Sequence, residues 1–169
     1  MIIGDPYRFS ITIDNVSNWN EDSTFNNGML FFCIGGAMFP KKIINATLSH
    51  EVPVLVEKLK NIVVDERLYN LARNELLVEL YNTTFPESDG LENDYRFDMT
   101  PDCFADDNYY LFAVGDGRNV RFIAAKLRYC RENSRHILAG MNLYETFISV
   151  EELYAMTVGL NEGYERLHG

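Results

Sequence analysis

The sequence predicts an α+β fold: a mainly antiparallel β-sheet with two or three helices packed on it, in a single compact domain covering residues 1–169. Three observations predict it. Apolar runs of strand character occur at 7–13, at 28–34 and on both sides of Gly115-Asp116-Gly117. Apolar residues recur with helical spacing from Val52 to Val63 and again from Leu68 to Tyr81. The chain has 169 residues and is 47% apolar, enough to bury one core of its own.

In chain order, Asp5-Pro6 is a turn signal, because proline fixes its φ and drives the preceding residue out of the helical region. Tyr7, Phe9, Ile11 and Ile13 then alternate with Arg8, Ser10 and Thr12, which predicts a half-buried strand with one wet face. Residues 14–27 form a polar connection around Trp19, the single tryptophan. Gly28 to Ile34 is a second strand, Gly35-Gly36 a tight turn, and Ile43 to Leu48 a further short strand, so the first strands are expected as an antiparallel meander. Ser49 starts a helix to Val63 with Pro53 near its first turn, where the missing N–H costs little. A second helix is expected from Glu66 to Tyr81, stopped by Asn82-Thr83-Thr84 and Pro86, and both helices are expected on one face of the sheet. Tyr95, Phe97 and Met99 alternate with Arg96 and Asp98, predicting a short strand. Asp107 to Leu127 reads as a hairpin about Gly115-Asp116-Gly117. Tyr109, Leu111 and Ala113 stand on one of its faces and Tyr110, Phe112 and Val114 on the other, so this strand is expected in the middle of a sheet. Leu143 to Val150 is the last strand. Ser149-Val150-Glu151-Glu152 then has the S-x-x-E form of a capping box, which opens a C-terminal helix carrying Leu153, Met156, Leu160, Tyr164 and Leu167.

Composition excludes several classes. The formal net charge is −10, which argues against nucleic acid and anionic membrane as partners. No apolar run is long enough to span a bilayer, and Met1 to Pro6 has neither a basic nor a long apolar region of signal-peptide type. Cys33, Cys103 and Cys130 are odd in number and far apart, which fits reduced thiols in a cytoplasmic protein, not a disulfide framework or a metal site. Charge is unevenly placed. Glu87, Asp89, Glu92, Asp94, Asp98, Asp102, Asp106 and Asp107 face Arg96 alone, while Arg118, Arg121, Lys126, Arg128, Arg131 and Arg135 face only Glu132. The two segments are joined through the hairpin and are expected to neutralise each other in part.

No catalytic set is legible. Ser134 and His136 share a strand face at i, i+2, which is not triad geometry. His50, His136 and His168 are far apart, the acidic segment lacks a calcium-loop pattern, and Gly115-Asp116-Gly117 sits between strands instead of before a helix. Neither a cofactor nor a metal is expected.

Several stretches nevertheless resemble one family in order along the chain. They are M-I-I-G-D-P-Y-R-F-S-I at 1–11, I-G-G-A-M-F-P ending at Pro40, E-L-Y-N-T-T-F-P at 79–86, N-D-Y-R-F-D-M-T at 93–100, D-D-N-Y-Y-L-F-A-V at 106–114, E-N-S-R-H at 132–136 and E-T-F-I-S-V-E-E-L at 145–153. Together they resemble the bacterial immunity protein 42 family, over essentially the whole chain. The resemblance implies a cytoplasmic, non-enzymatic protein of a polymorphic-toxin or contact-dependent inhibition system, which needs no cofactor and blocks a cognate toxin domain by binding it. It implies no particular functional residues.

Charge and aromatic content add a working surface to that expectation. Glu87, Asp89, Glu92, Asp94, Asp98, Asp102 and Asp106, with Asp14, Glu21 and Asp22, are expected to dock on a basic patch of the toxin. Trp19, Tyr95 and Phe104 are the candidate desolvated anchors. Two other classes stay open: an enzyme with an unfamiliar carboxylate or histidine site, for which a pocket placing His136 beside a buried carboxylate would speak, and an adaptor without a toxin partner.

Overall fold

Ile2–Asp5 (β1) and Phe9–Asn15 (β2) pair as a hairpin in the computed structural model, which describes residues 1–20, 26–88 and 90–168. Asp5 and Pro6 turn the chain between them: the Asp5 carbonyl accepts from Arg8 N at 3.0 Å and its carboxylate from Tyr7 N at 2.9 Å. Tyr7 is therefore a turn residue, 85% exposed, and not the first residue of the strand. The expected wet face of β2 is also absent. Ser10 and Thr12 are buried, as small side chains standing beside Cys33 and Phe31 of the next strand along. Asn27–Ile34 (β3) and Ala37–Phe39 (β4) follow, joined by Gly35 and Gly36, both at positive φ. Asn45–Thr47 (β5) leaves the meander and pairs with the opposite end of β3, completing a five-stranded antiparallel sheet.

Leu48–Lys60 forms α1, so Ile62 and Val63 lie beyond its end. The single helix expected over 66–81 is two: Glu66–Tyr69 (α2) and Arg73–Thr84 (α3). The reason lies elsewhere in the chain. The carbonyls of Tyr69 and Leu71, left out of the helical ladder at the break, each accept from the Arg121 guanidinium at 2.6 Å. The strand expected around Phe97 is a 3₁₀ turn, Tyr95–Phe97, capped by Asp94, and only Asp98 bridges to a strand, at Phe112. Asp102–Ala105 adds a one-turn helix, α4.

Tyr109–Gly115 (β6) and Asn119–Lys126 (β7) form the expected hairpin, and Leu143–Ser149 (β10) pairs with β7 on its other side. The strand order β10-β7-β6 puts β7 in the middle, so β6 is an outer strand despite its complete burial. Burial on both faces reports the layers above and below a strand and says nothing of its flanks. Its outer flank is closed by loop backbone: Gly115 N donates to Val63 O at 2.8 Å and Met99 N to Leu111 O at 2.9 Å. Arg128–Cys130 (β8) and Arg135–Ile137 (β9) make a separate two-stranded ribbon. The capping box forms as expected, with Glu152 N donating to Ser149 Oγ at 3.1 Å and Ser149 N to Glu152 Oε2 at 2.8 Å, and it opens Val150–His168 (α5). Gly159 and Gly163, which weaken a helix by about 1 kcal/mol each, leave room in α5 for Ile3 and Met1.

The two faces read from the hairpin sequence belong to two cores. Leu111, Ala113 and Phe122 join Phe9, Phe32 and Leu55 between the two sheets, where α1 and α5 also pack. Phe112, Val114 and Ile123 join Leu68, Leu77 and Leu80 of α2 and α3 on the far side. The two helical segments expected on one face are thus on opposite sides of the three-stranded sheet. One charge intrudes on the far core. Arg121, 5% exposed, donates Nε to Glu145 at 2.7 Å and stacks on Phe147 at 5.4 Å while holding the two carbonyls at the helix break. Arg121→Ala is expected to lower stability by about 3–5 kcal/mol, since Glu145 and two carbonyls lose a buried partner together. Arg121→Lys should recover little, because one ammonium cannot span that fork; urea unfolding of both variants is the measurement.

Candidate functional site

The acidic approach to β6 is laid out by three local devices. Asp94 caps the 3₁₀ turn by accepting from Arg96 N at 3.1 Å, and its carboxylate also takes the Arg96 guanidinium at 2.9 and 2.7 Å. That pairing holds the Asp94 carboxyl below the usual carboxylate range. Asp98 accepts from Thr100 N at 2.9 Å and lies 3.9 Å from Lys58 Nζ, with its side chain mostly buried. Glu51 of α1, 4% exposed, accepts from Asp102 N and Cys103 N at 3.0 and 2.9 Å, so a buried carboxylate caps α4. Burial and Glu51 push the Cys103 thiol up, away from reactivity.

These devices also neutralise much of the segment. Asp102 lies 3.1 Å from His50 Nε2, Asp107 2.6 Å from Lys42 Nζ, and Glu87 is paired with Arg135. Among these pairs only Glu87–Arg135 joins the acidic stretch to the basic one beyond the hairpin. Glu92 and Asp106 remain exposed without an ion pair among the described residues, as does Asp14. Glu21, Asp22 and Asp89 lie outside the described residues. Tyr95 is 56% exposed, and Trp19 is 38% exposed in a separate 3₁₀ turn, Ser17–Trp19. Phe104 is not available as an anchor. It is fully buried, edge-on to Phe32 and Phe39, because the Glu51 cap turns α4 inward. The partners Lys42, His50, Glu51 and Lys58 were not legible as such; the last three show only as polar residues in the first or last turn of a helix, and Lys42 only as half of a lysine pair in a connection.

His136 sits in a groove of about 510 Å³ with Tyr81, Tyr110, Tyr129 and Arg135. The Tyr81 hydroxyl donates to Nδ1 at 2.6 Å and Nε2–H donates to Asn108 Oδ1 at 2.7 Å, so the ring is held as one neutral tautomer. Neither nitrogen faces a carboxylate or Ser134, and both are occupied. The arrangement bolts the β8–β9 ribbon to α3 and to the start of the hairpin; it does not prepare a base. Among the described residues no cluster of His, Cys, Asp or Glu could hold a metal ion, and no helix is long and apolar enough to cross a membrane. Burial lowers the pKa of His136, and burial pushes Tyr81 up to about 12. The unfolded imidazole titrates near 6.5, so protons bind the unfolded chain first as the pH falls. Stability carried by the neutral ring is therefore complete above pH 6.5 and is lost as the pH drops through the folded-state value. His136→Gln is expected to flatten that part of the curve, read from urea midpoints between pH 8 and pH 5.

The fold is similar to the crystal structure of CdiI from Burkholderia dolosa, with a TM-score of 0.77 and 25% identity over 96% of this chain and 99% of that one. No curated protein matches the sequence. Residues 1–161 match the family model described as immunity protein 42, and the chain belongs to that family.

Proposed function

We propose that this chain binds a cognate toxin domain in the cytoplasm and neutralises it by occupying its surface, without catalysing a reaction of its own. The observation that carries this reading is the family match over 1–161, together with a likeness in fold, nearly end to end, to CdiI, a contact-dependent inhibition immunity protein. Two features of the chain support it. The histidine pocket holds a doubly hydrogen-bonded, neutral ring in place of an activated one. The net charge of −10 suits capture of a basic partner and disfavours nucleic acid or anionic membrane.

The acidic approach serves as the steering surface. Glu92 and Asp106 stand free, Asp102 reaches solvent beside His50, and Tyr95 offers a ring among them. Glu87, Asp94 and Asp98 are tied to Arg135, Arg96 and Lys58, so they shape this surface more than they charge it. A toxin that grips phosphate needs a basic patch, and a carboxylate face over that patch would both occlude it and speed encounter.

Co-expression with the toxin domain should restore growth, and the pair should co-purify; a toxin that stays free and active would refute the reading. Charge reversal of Glu92, Asp102 and Asp106 together is expected to slow association about tenfold at low salt and to flatten its salt dependence. Stopped-flow rates across a salt series measure this, and unchanged rates would remove the acidic face from the mechanism.

A further inference from the structure

We infer that the toxin is anchored in an apolar groove at the other end of α1, where it inserts apolar side chains from a segment flanked by Lys or Arg; this rests on the toxin-binding reading above. The groove, about 640 Å³, runs between the C-terminal end of α1, the β6–β7 turn and α5. Its floor is made by side chains that are buried in any case, Leu59, Val120 and Leu153. Its walls are not. Val150, Tyr154 and Val158 are 41%, 73% and 39% exposed, and Val64 on the facing lip is 59% exposed.

The spacing of the α5 residues is what makes this unusual. Leu153, Met156 and Leu160 already form the stripe that α5 buries against the core. Val150, Tyr154 and Val158 recur every fourth residue and make a second apolar stripe beside the first. The second stripe is only partly covered as it stands: Tyr154 is mostly in water, and Val150 and Val158 each keep about two fifths of their surface exposed. A concave apolar surface with a tyrosine on its wall and polar residues at its margin has the make-up of an interface centre. The turn keeps the end of the groove open: Gly117 is at positive φ, and a Cβ there would meet nothing within 4 Å.

Charge selects the occupant. Asp116 stands between the two lining glycines and Glu151 follows Val150, neither in an ion pair among the described residues, whereas the lining Glu162 is taken by Arg166. Of the nearby cations, Lys60 is held by Glu57 at 2.7 Å and Arg166 by Glu162 at 3.3 Å, leaving Arg118 without an ion pair among the described residues. A second copy of this chain would bring another acidic α5, with Glu151, Glu152, Glu162 and Glu165 against Arg166 as its one Lys or Arg. A segment with basic flanks meets attraction instead. The groove lies at the C-terminal end of α1, whereas Glu51 and His50 hold Asp102, one of the steering carboxylates, at its N-terminal end. Thirteen residues of helix separate the two by about 20 Å, within the breadth of one standard interface of about 800 Å² per partner. Steering and anchoring are thus assigned to different ends of one helix.

The test is toxin binding by Tyr154→Ala and, separately, Val158→Glu, each first checked for an unchanged thermal midpoint. Both residues are exposed, so the fold should survive. Expected is a loss of affinity of at least about thirtyfold, carried by faster dissociation and insensitive to salt. Charge reversal of Glu92 should change association alone. The inference is overturned if the unsubstituted protein holds the toxin and both groove variants hold it within twofold. If the unsubstituted protein fails to bind the toxin at all, the toxin reading and the inference fall together. Sedimentation showing a dimer that Val158→Glu dissociates would assign the groove to a second copy, and native mass spectrometry showing a retained small apolar ligand would assign it to that ligand; either result overturns the inference.

Discussion

The structure depends on one constraint: the β6–β7 hairpin is apolar on both faces and must be kept dry on both. A strand pair of this kind cannot form the wall of a one-layer sheet, so the chain supplies a layer for each side. The five-stranded sheet, α1 and α5 cover one face, and α2 and α3 the other. The remaining liability is the outer flank of β6, where unpaired backbone would invite another strand. Val63, Met99 and Thr100 occupy it, the Thr100 hydroxyl donating to Leu111 O at 3.2 Å and accepting from Leu111 N at 3.0 Å. Val63, expected in a helix, and Met99, expected in a separate short strand, are therefore parts of the sheet's closure.

The same constraint explains the polar groups that are buried. Arg121 projects from the centre strand into the far core and is tolerated because Glu145, two carbonyls and the Phe147 ring all meet it. Glu51 is tolerated because two backbone N–H groups of α4 converge on it. Each ties a connecting segment to the framework, so each sets the path of a loop as well as satisfying a charge. Removing water from these groups is costly, and their geometry repays that cost only when every partner is present.

For function, the consequence is that charge and anchoring are separable. Much of the acidic approach is spoken for by Arg96, Lys58, Lys42 and Arg135, and what it retains is a field from Glu92, Asp102 and Asp106 over a modest area. Such a field acts over about a Debye length, ~8–10 Å, and so affects encounter more than residence. Residence requires apolar surface that can be desolvated, and the surface proposed for it lies on α5. The chain resembles an immunity protein in sequence and in fold, and this division of labour is a physical route by which an acidic protein can be both fast and tight.

Local physics was legible in the sequence. The i, i+2 alternation assigned Leu111 and Phe112 to different faces, the Gly115-Asp116-Gly117 turn placed the hairpin, the S-x-x-E box marked the start of α5, and the ordered motifs identified the family. Each of these depends on residues close together in the chain. What depended on distant partners was decided only by the tertiary structure. The helix break after Tyr69 follows from Arg121, some fifty residues on. The burial of Phe104 follows from Glu51, and the pairing of Asp98 from Lys58 of α1. The exposure of Tyr154 was hidden for the same reason: periodicity marks a residue as apolar, but only the packing of neighbouring elements determines whether anything covers it.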